Sequence, residues 1–129
     1  MTDISAHYDD INNIVIVEGQ HEGKLTTQVV MAASRVALKL ACEHYCDLLL
    51  FDITMMKESQ TIVQGYLAMK EMEKTTGITL NFKCAVVYDP CKYSPLRAEY
   101  IEAVVAHQRN PPFKMFSNRE LAIDWLKAE

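Results

Sequence analysis

The sequence has few of the motifs that assign a function directly. Only four glycines and four prolines occur in 129 residues, and no glycine-rich phosphate loop is present. A Gly-x-Ser-x-Gly elbow and a His-Glu-x-x-His pair are also missing, which argues against the common nucleotide-binding, serine hydrolase and zinc protease classes. An enzyme of a less familiar kind stays open, with Asp52, Asp89 or Cys91 as its candidate residues.

Charge and hydropathy argue against two classes of partner. Thirteen basic and 17 acidic residues give a net charge of −4, whereas a nucleic-acid surface needs a basic stripe. The longest apolar run, residues 48–51, is far shorter than the about 20 residues that cross a bilayer. Residues 1–10 lack the basic start of an export signal. We therefore expect a cytoplasmic protein with reduced cysteines, no nucleic-acid partner and no membrane span.

Strand-like and helix-like segments alternate along the chain, which predicts a single α/β domain over residues 1–129. The expected architecture is a five-stranded, mostly parallel sheet with an N-terminal hairpin and four helices. Strands are predicted at residues 4–9, 14–17, 48–53, 80–88 and 113–116. Helices are predicted at residues 25–45 and 61–74, from Pro95 onward, and after Ser117.

Capping signals mark the starts of the last two helices. Ser94 followed by Pro95 is a strong helix start, because serine caps the free amides and proline fits the first helical position. Ser117 and Glu120 have the spacing of a capping box. Phe116 and Leu121 hold the positions of a hydrophobic staple, so we expect them to pack together.

The four cysteines do not have the spacing of a metal site. Cys42 and Cys46 are four residues apart on the first predicted helix, which places both thiols on one face. No second pair completes a tetrahedral set, because Cys84 lies in a predicted strand and Cys91 in a loop. We therefore expect no bound metal and no cofactor.

Candidate functional residues follow two of the predicted strands. Asp52 and Asp89 stand where an open α/β sheet has its ligand crevice, so they form a candidate ligand rim. Two neighbouring carboxylates can serve acid–base chemistry, although carboxylates in such loops more often accept from turn amides. Met55 and Met56 come next, and exposed methionines would form a protein-contact patch or the mouth of an apolar pocket.

Three motifs resemble the STAS/SpoIIAA-like domain family, and small stand-alone bacterial members are the most similar. The first is the strand end Leu-Phe-Asp at residues 50–52. The second is a helix end reading Val-Ala-His-Gln-Arg-Asn at residues 105–110, followed by a strand that ends at Phe116. The third is the closing helix, Glu-Leu-Ala-Ile-Asp-Trp-Leu at residues 120–126. The resemblance is diffuse and extends over essentially the whole chain.

This resemblance implies a regulatory or protein-interaction module, similar to anti-sigma-factor antagonists, without enzyme activity. The implied partner is a protein, either a kinase or an anti-sigma factor. Family members carry Asp-Ser-Ser-Gly at the start of the second helix, where a kinase phosphorylates a serine. Here residues 56–61 read Met-Lys-Glu-Ser-Gln-Thr, so Ser59 and Thr61 are the nearest hydroxyls.

Three alternatives stay open beside the regulatory interpretation. Ser59 or Thr61 can serve as a plain helix cap instead of a phosphorylation site. The fold group also contains Sec14-like carriers, which implies a small apolar ligand or lipid in a pocket between the sheet and the second helix. A homodimer with C2 symmetry is the expected form if the domain self-associates.

Overall fold

A computed structural model of the chain describes residues 4–19, 23–24, 27–57, 82–92, 94–108 and 113–128. In these residues the fold is α/β, with a five-stranded mixed sheet and three helices. The strands are β1 (Ile4–Asp9), β2 (Ile14–Gly19), β3 (Gly23–Lys24), β4 (Leu48–Asp52), β5 (Met56–Lys57), β6 (Lys83–Val87) and β7 (Phe113–Phe116). The helices are α1 (Thr27–Glu43), α2 (Pro95–Gln108) and α3 (Arg119–Lys127).

The main sheet has the strand order β1-β2-β4-β6-β7. β1 pairs with β2 in an antiparallel hairpin, and the other neighbouring pairs are parallel. The predicted α/β class, mixed sheet and N-terminal hairpin are thus confirmed. The helix predicted at residues 61–74 lies outside the described residues. A second sheet, β3 paired with β5, was not predicted, because strands of two residues are too short to show a periodic pattern.

Helices cover both faces of the main sheet. On the first face, Val15, Val17 and Leu49 pack against three alanines of α1, at positions 33, 37 and 41. Val86 and Met115 on the same face pack against Ala98 and Ile101 of α2. On the second face, side chains of β2, β4 and β6 pack against Ala122 and Leu126 of α3. This two-sided burial explains why β2 and β4 have continuous apolar runs in place of an alternating pattern.

Helix α1 ends earlier than predicted. Tyr45 has a φ of 50°, in the left-handed region, and the Cys46 amide donates to the Ala41 carbonyl at 2.9 Å. This is the hydrogen bond of a Schellman motif, which terminates a helix. The prediction that Cys42 and Cys46 share one helix face is therefore wrong. Cys42 is exposed, whereas Cys46 is buried and its Sγ donates to the Asn13 carbonyl at 3.1 Å.

The predicted start of α2 is confirmed, but the cap of α3 differs from the prediction. α2 begins at Pro95. In α3 the cap is Asn118, whose Oδ1 accepts from the Leu121 amide at 3.2 Å. The Ser117 capping box is therefore wrong. Asn caps a helix as well as Ser does, and starting one residue later moves Leu121 out of the staple position.

Lys83 closes the other end of α3. Its Nζ donates to the carbonyl oxygens of Trp125 and, at 2.9 Å, of Ala128. It also lies 4.6 Å from the centre of the Trp125 ring. Carbonyls at a helix C-terminus have no partner within the helix, so the ammonium supplies both hydrogen bonds and a favourable charge. None of the described helices is long and apolar enough to cross a membrane.

Candidate functional site

The four parallel strands β2, β4, β6 and β7 end at one edge of the main sheet, called here the carboxyl edge. Glu18 of β2 lies opposite Asp52 of β4 in the strand register. Side chains alternate along a strand, so both carboxylates lie on the second face, where α3 begins. The first residue of α3, Arg119, reaches both of them.

Arg119 forms a charged cluster with these two acids. Its Nη2 atom is 3.4 Å from Glu18 Oε2 and 3.3 Å from Asp52 Oδ2. Like charges opposite each other on neighbouring strands repel, and the guanidinium offsets that repulsion. Among the described residues the buried Nε and Nη2 atoms of Arg119 have no hydrogen-bond acceptor, so neither contact is a hydrogen bond. The cluster is therefore held by charge, and all three side chains are partly exposed.

Asp52 and Asp89 each organise the turn that follows their own strand. Asp52 Oδ1 accepts from the Thr54 amide at 3.0 Å and from Thr54 Oγ1 at 2.6 Å. Asp89 Oδ1 accepts from the Cys91 amide at 2.9 Å. Because one oxygen of Asp52 is used by Thr54 and the other faces Arg119, this geometry favours a structural role over proton transfer to a ligand. The structure thus shows the turn-amide bonding that was the alternative to a ligand rim.

Asp52 lies at the predicted edge of the sheet, but its neighbours Glu18 and Arg119 were not predicted. Glu18 and Arg119 are far from Asp52 in sequence, and only the pairing of β2 with β4 and the docking of α3 bring them together. A weak signal was available, because Glu18 directly follows the apolar run at residues 14–17, and the two-residue period of a strand places it on the same face as Ile14 and Ile16.

Three exposed apolar side chains follow the carboxyl ends of three adjacent strands. Met55 lies three residues after β4 and is 40% exposed. Leu96, in the first turn of α2 after β6, is 79% exposed, and Leu121, in the first turn of α3 after β7, is 57% exposed. We call these three residues the apolar rim. All three lie at the carboxyl edge, and exposed apolar side chains at one edge are a candidate contact surface.

The other predicted site residues are Met56, Ser59 and Thr61. Met56 lies in β5. Ser59 and Thr61 lie outside the described residues, so their prediction as phosphorylation or partner-contact sites rests on sequence. In the part of the chain that the structure describes, no three His, Cys, Asp or Glu side chains are grouped to hold a metal ion.

Comparison of the chain with protein-family models, with curated proteins and with solved structures found no match. The resemblance to STAS/SpoIIAA-like domains therefore stays a prediction.

Proposed function

We propose that the chain is a regulatory domain of the STAS/SpoIIAA-like type that binds a protein partner at its carboxyl edge. The observation that carries this proposal is the apolar rim of Met55, Leu96 and Leu121. Protein interfaces combine an apolar centre with a polar rim and are enriched in Met and Arg. The rim and the charged cluster of Arg119 provide both components at one edge.

The order of elements also supports this proposal. The resemblance implies an opening hairpin, a long helix, an apolar strand that ends in Asp, and a closing strand and helix. β1 and β2, α1, β4, β7 and α3 occur in that order. Fold alone does not determine function, so the proposal depends on what binds at the rim.

Phosphorylation is the proposed means of regulation, with Ser59 or Thr61 as the acceptor and a kinase as the enzyme. These residues follow Met55 by four and six positions. A phosphate adds about 1.5–2 negative charges and three acceptor oxygens. Added close to the rim in sequence, that charge would disfavour an apolar partner surface and release it, or recruit a basic one.

Partner capture with matched variants tests this proposal. Met55→Glu places a charge on the rim, whereas Val36→Glu places the same charge on a similarly exposed apolar residue in the middle of α1, outside the rim. With tagged full-length chains in the source cells, we expect Met55→Glu to reduce recovery of the partner about tenfold, equivalent to about 1.4 kcal/mol. Val36→Glu is expected to retain the same protein. Equal recovery with both variants would contradict docking at the rim.

Intact mass of the protein purified from its own cells tests the switch and the oligomeric state. A phosphate increment that maps to Ser59 or Thr61 supports regulation. An extra mass that is lost on denaturation would instead support the Sec14-like carrier of a small apolar ligand. A doubled chain mass under native conditions would establish the homodimer.

A further inference from the structure

The end of the sheet opposite the carboxyl edge carries two apolar side chains that are almost wholly exposed. This end, called here the amino edge, contains the turn between β1 and β2 and the loop between α1 and β4. Ile11 in the turn is 89% exposed, and Tyr45 in the loop is 96% exposed. Neither side chain contributes appreciably to the core.

Contacts between the two segments hold the amino edge together. The rings of Tyr8 and His44 stack with their centres 4.0 Å apart and their planes 5° from parallel. Tyr8 also donates from its hydroxyl to Asn13 Oδ1 at 2.6 Å. Together with the bond from Cys46 Sγ to the Asn13 carbonyl, these contacts fix the loop against the turn. The two exposed residues are thus presented by one connected surface.

The backbone of Tyr45 ends α1, but nothing in that role requires a tyrosine side chain. Its backbone is left-handed, a conformation that favours glycine and is an outlier for a bulky side chain. Its ring is exposed, so packing does not compensate for that unfavourable backbone. Strained residues cluster at functional sites, so an exposed ring held on such a backbone is a candidate for recognition.

The charges around Tyr45 are acidic. Glu43 and Asp47, two residues before and after it, are both exposed, and Asp10 is exposed in the facing turn. Two described lysines near this edge already have partners. Lys127 Nζ donates to Asn12 Oδ1 at 3.0 Å, and Lys83 Nζ donates to the last carbonyls of α3. The nearest described cation on α1 is Lys39, one helical turn before Glu43.

We propose that the amino edge binds a basic segment of a protein partner. In this arrangement an Arg or Lys of the segment lies over the Tyr45 ring, between the carboxylates of Glu43 and Asp47, and an apolar residue of the segment contacts Ile11. A cation over a tyrosine face is attracted by the ring quadrupole, and a guanidinium can stack and pair with carboxylates at once. The site is separate from the apolar rim, so both ends of the sheet can be occupied together.

Selection of random dodecapeptides displayed on phage, with the full chain as bait, tests this proposal. We expect enrichment of peptides that carry Arg or Lys beside an apolar residue. The best peptide is then made synthetically, labelled with fluorescein and titrated by anisotropy. Tyr45→Ala is expected to weaken its binding about tenfold, whereas Tyr45→Phe retains the ring and stays within about threefold of the original.

Two further variants test the charge of the amino edge and the position of the binding site. A variant carrying both Glu43→Gln and Asp47→Asn is expected to weaken binding about fivefold and to reduce its salt dependence, because two attractive charges are removed. Met55→Ala, at the other end of the sheet, is expected to leave binding unchanged. Failure to enrich any peptide, enrichment of acidic peptides, or Tyr45→Ala binding within about twofold of the original chain would overturn the proposal.

Discussion

Replacing Tyr45 by glycine is expected to stabilise the protein, although it removes a large side chain. Tyr45 occupies the position just after the end of α1, with a φ of 50°, where the Schellman motif favours glycine. A residue with a β-carbon is disfavoured in this conformation by about 1–2 kcal/mol. The ring is almost wholly exposed, so its removal exposes little new apolar surface.

The opposing effect is smaller. Glycine gives the unfolded chain more conformational freedom, which destabilises the folded state by about 0.5–1 kcal/mol. The difference leaves Tyr45→Gly more stable by about 0.5–1 kcal/mol. With a urea dependence of about 1–3 kcal/mol per molar, the unfolding midpoint is expected to rise by about 0.2–1 M.

Equilibrium urea unfolding, followed by circular dichroism and by Trp125 fluorescence, measures this change. Coincident transitions from the two probes would justify a two-state analysis. Tyr45→Ala is the matched control, because it removes the ring but keeps the β-carbon, and we expect its stability to stay within about 0.5 kcal/mol of the original. A Tyr45→Gly variant that unfolds at a lower urea concentration than Tyr45→Ala would refute the reasoning.

Three further changes test other contacts. Lys83→Met removes the cap of α3 and is expected to destabilise the protein by about 1–2 kcal/mol in urea unfolding. The control Lys127→Met loses one exposed hydrogen bond and is expected to cost less than about 0.5 kcal/mol. Equal losses of stability in the two variants would contradict the role of Lys83 as a cap. Arg119→Met leaves two facing carboxylates and is expected to lower the free energy of unfolding by about 0.5–1 kcal/mol. Adding Glu18→Gln is expected to restore part of that loss. Additive losses in the double variant would contradict the charged cluster. The hydrogen bond from the Asn12 side chain holds the pKa of Asp9 below its ordinary value of 3.8. The stabilisation that this carboxylate gives the folded state is therefore present above pH 3.8 and is lost as pH falls through the folded pKa. Asp9→Asn is therefore expected to flatten the acid limb of stability against pH, and an unchanged limb would contradict this role.

The main sheet could be predicted from the sequence because each strand has a strong local signal. The β-branched run at residues 14–17 and the apolar run at residues 48–51 need both faces covered, which only a central strand provides. β3 and β5 could not be found this way, because their pairing is a long-range contact between two-residue segments. The same limit applies to the charged cluster, whose members meet only when β2 pairs with β4 and α3 docks.

Whether Leu121 belongs to the apolar rim depends on which of two adjacent residues caps α3, and the sequence does not decide between them. Ser117 and Asn118 are both good caps, and a choice between adjacent caps involves small energies, since each capping bond contributes only about 1 kcal/mol. With Ser117 as the cap, Leu121 would be the staple partner of Phe116. With Asn118 as the cap, the Leu121 amide donates to Asn118 Oδ1, and the Leu121 side chain is exposed. A shift of one residue at the start of α3 thus turns a predicted packing residue into a member of the proposed contact surface.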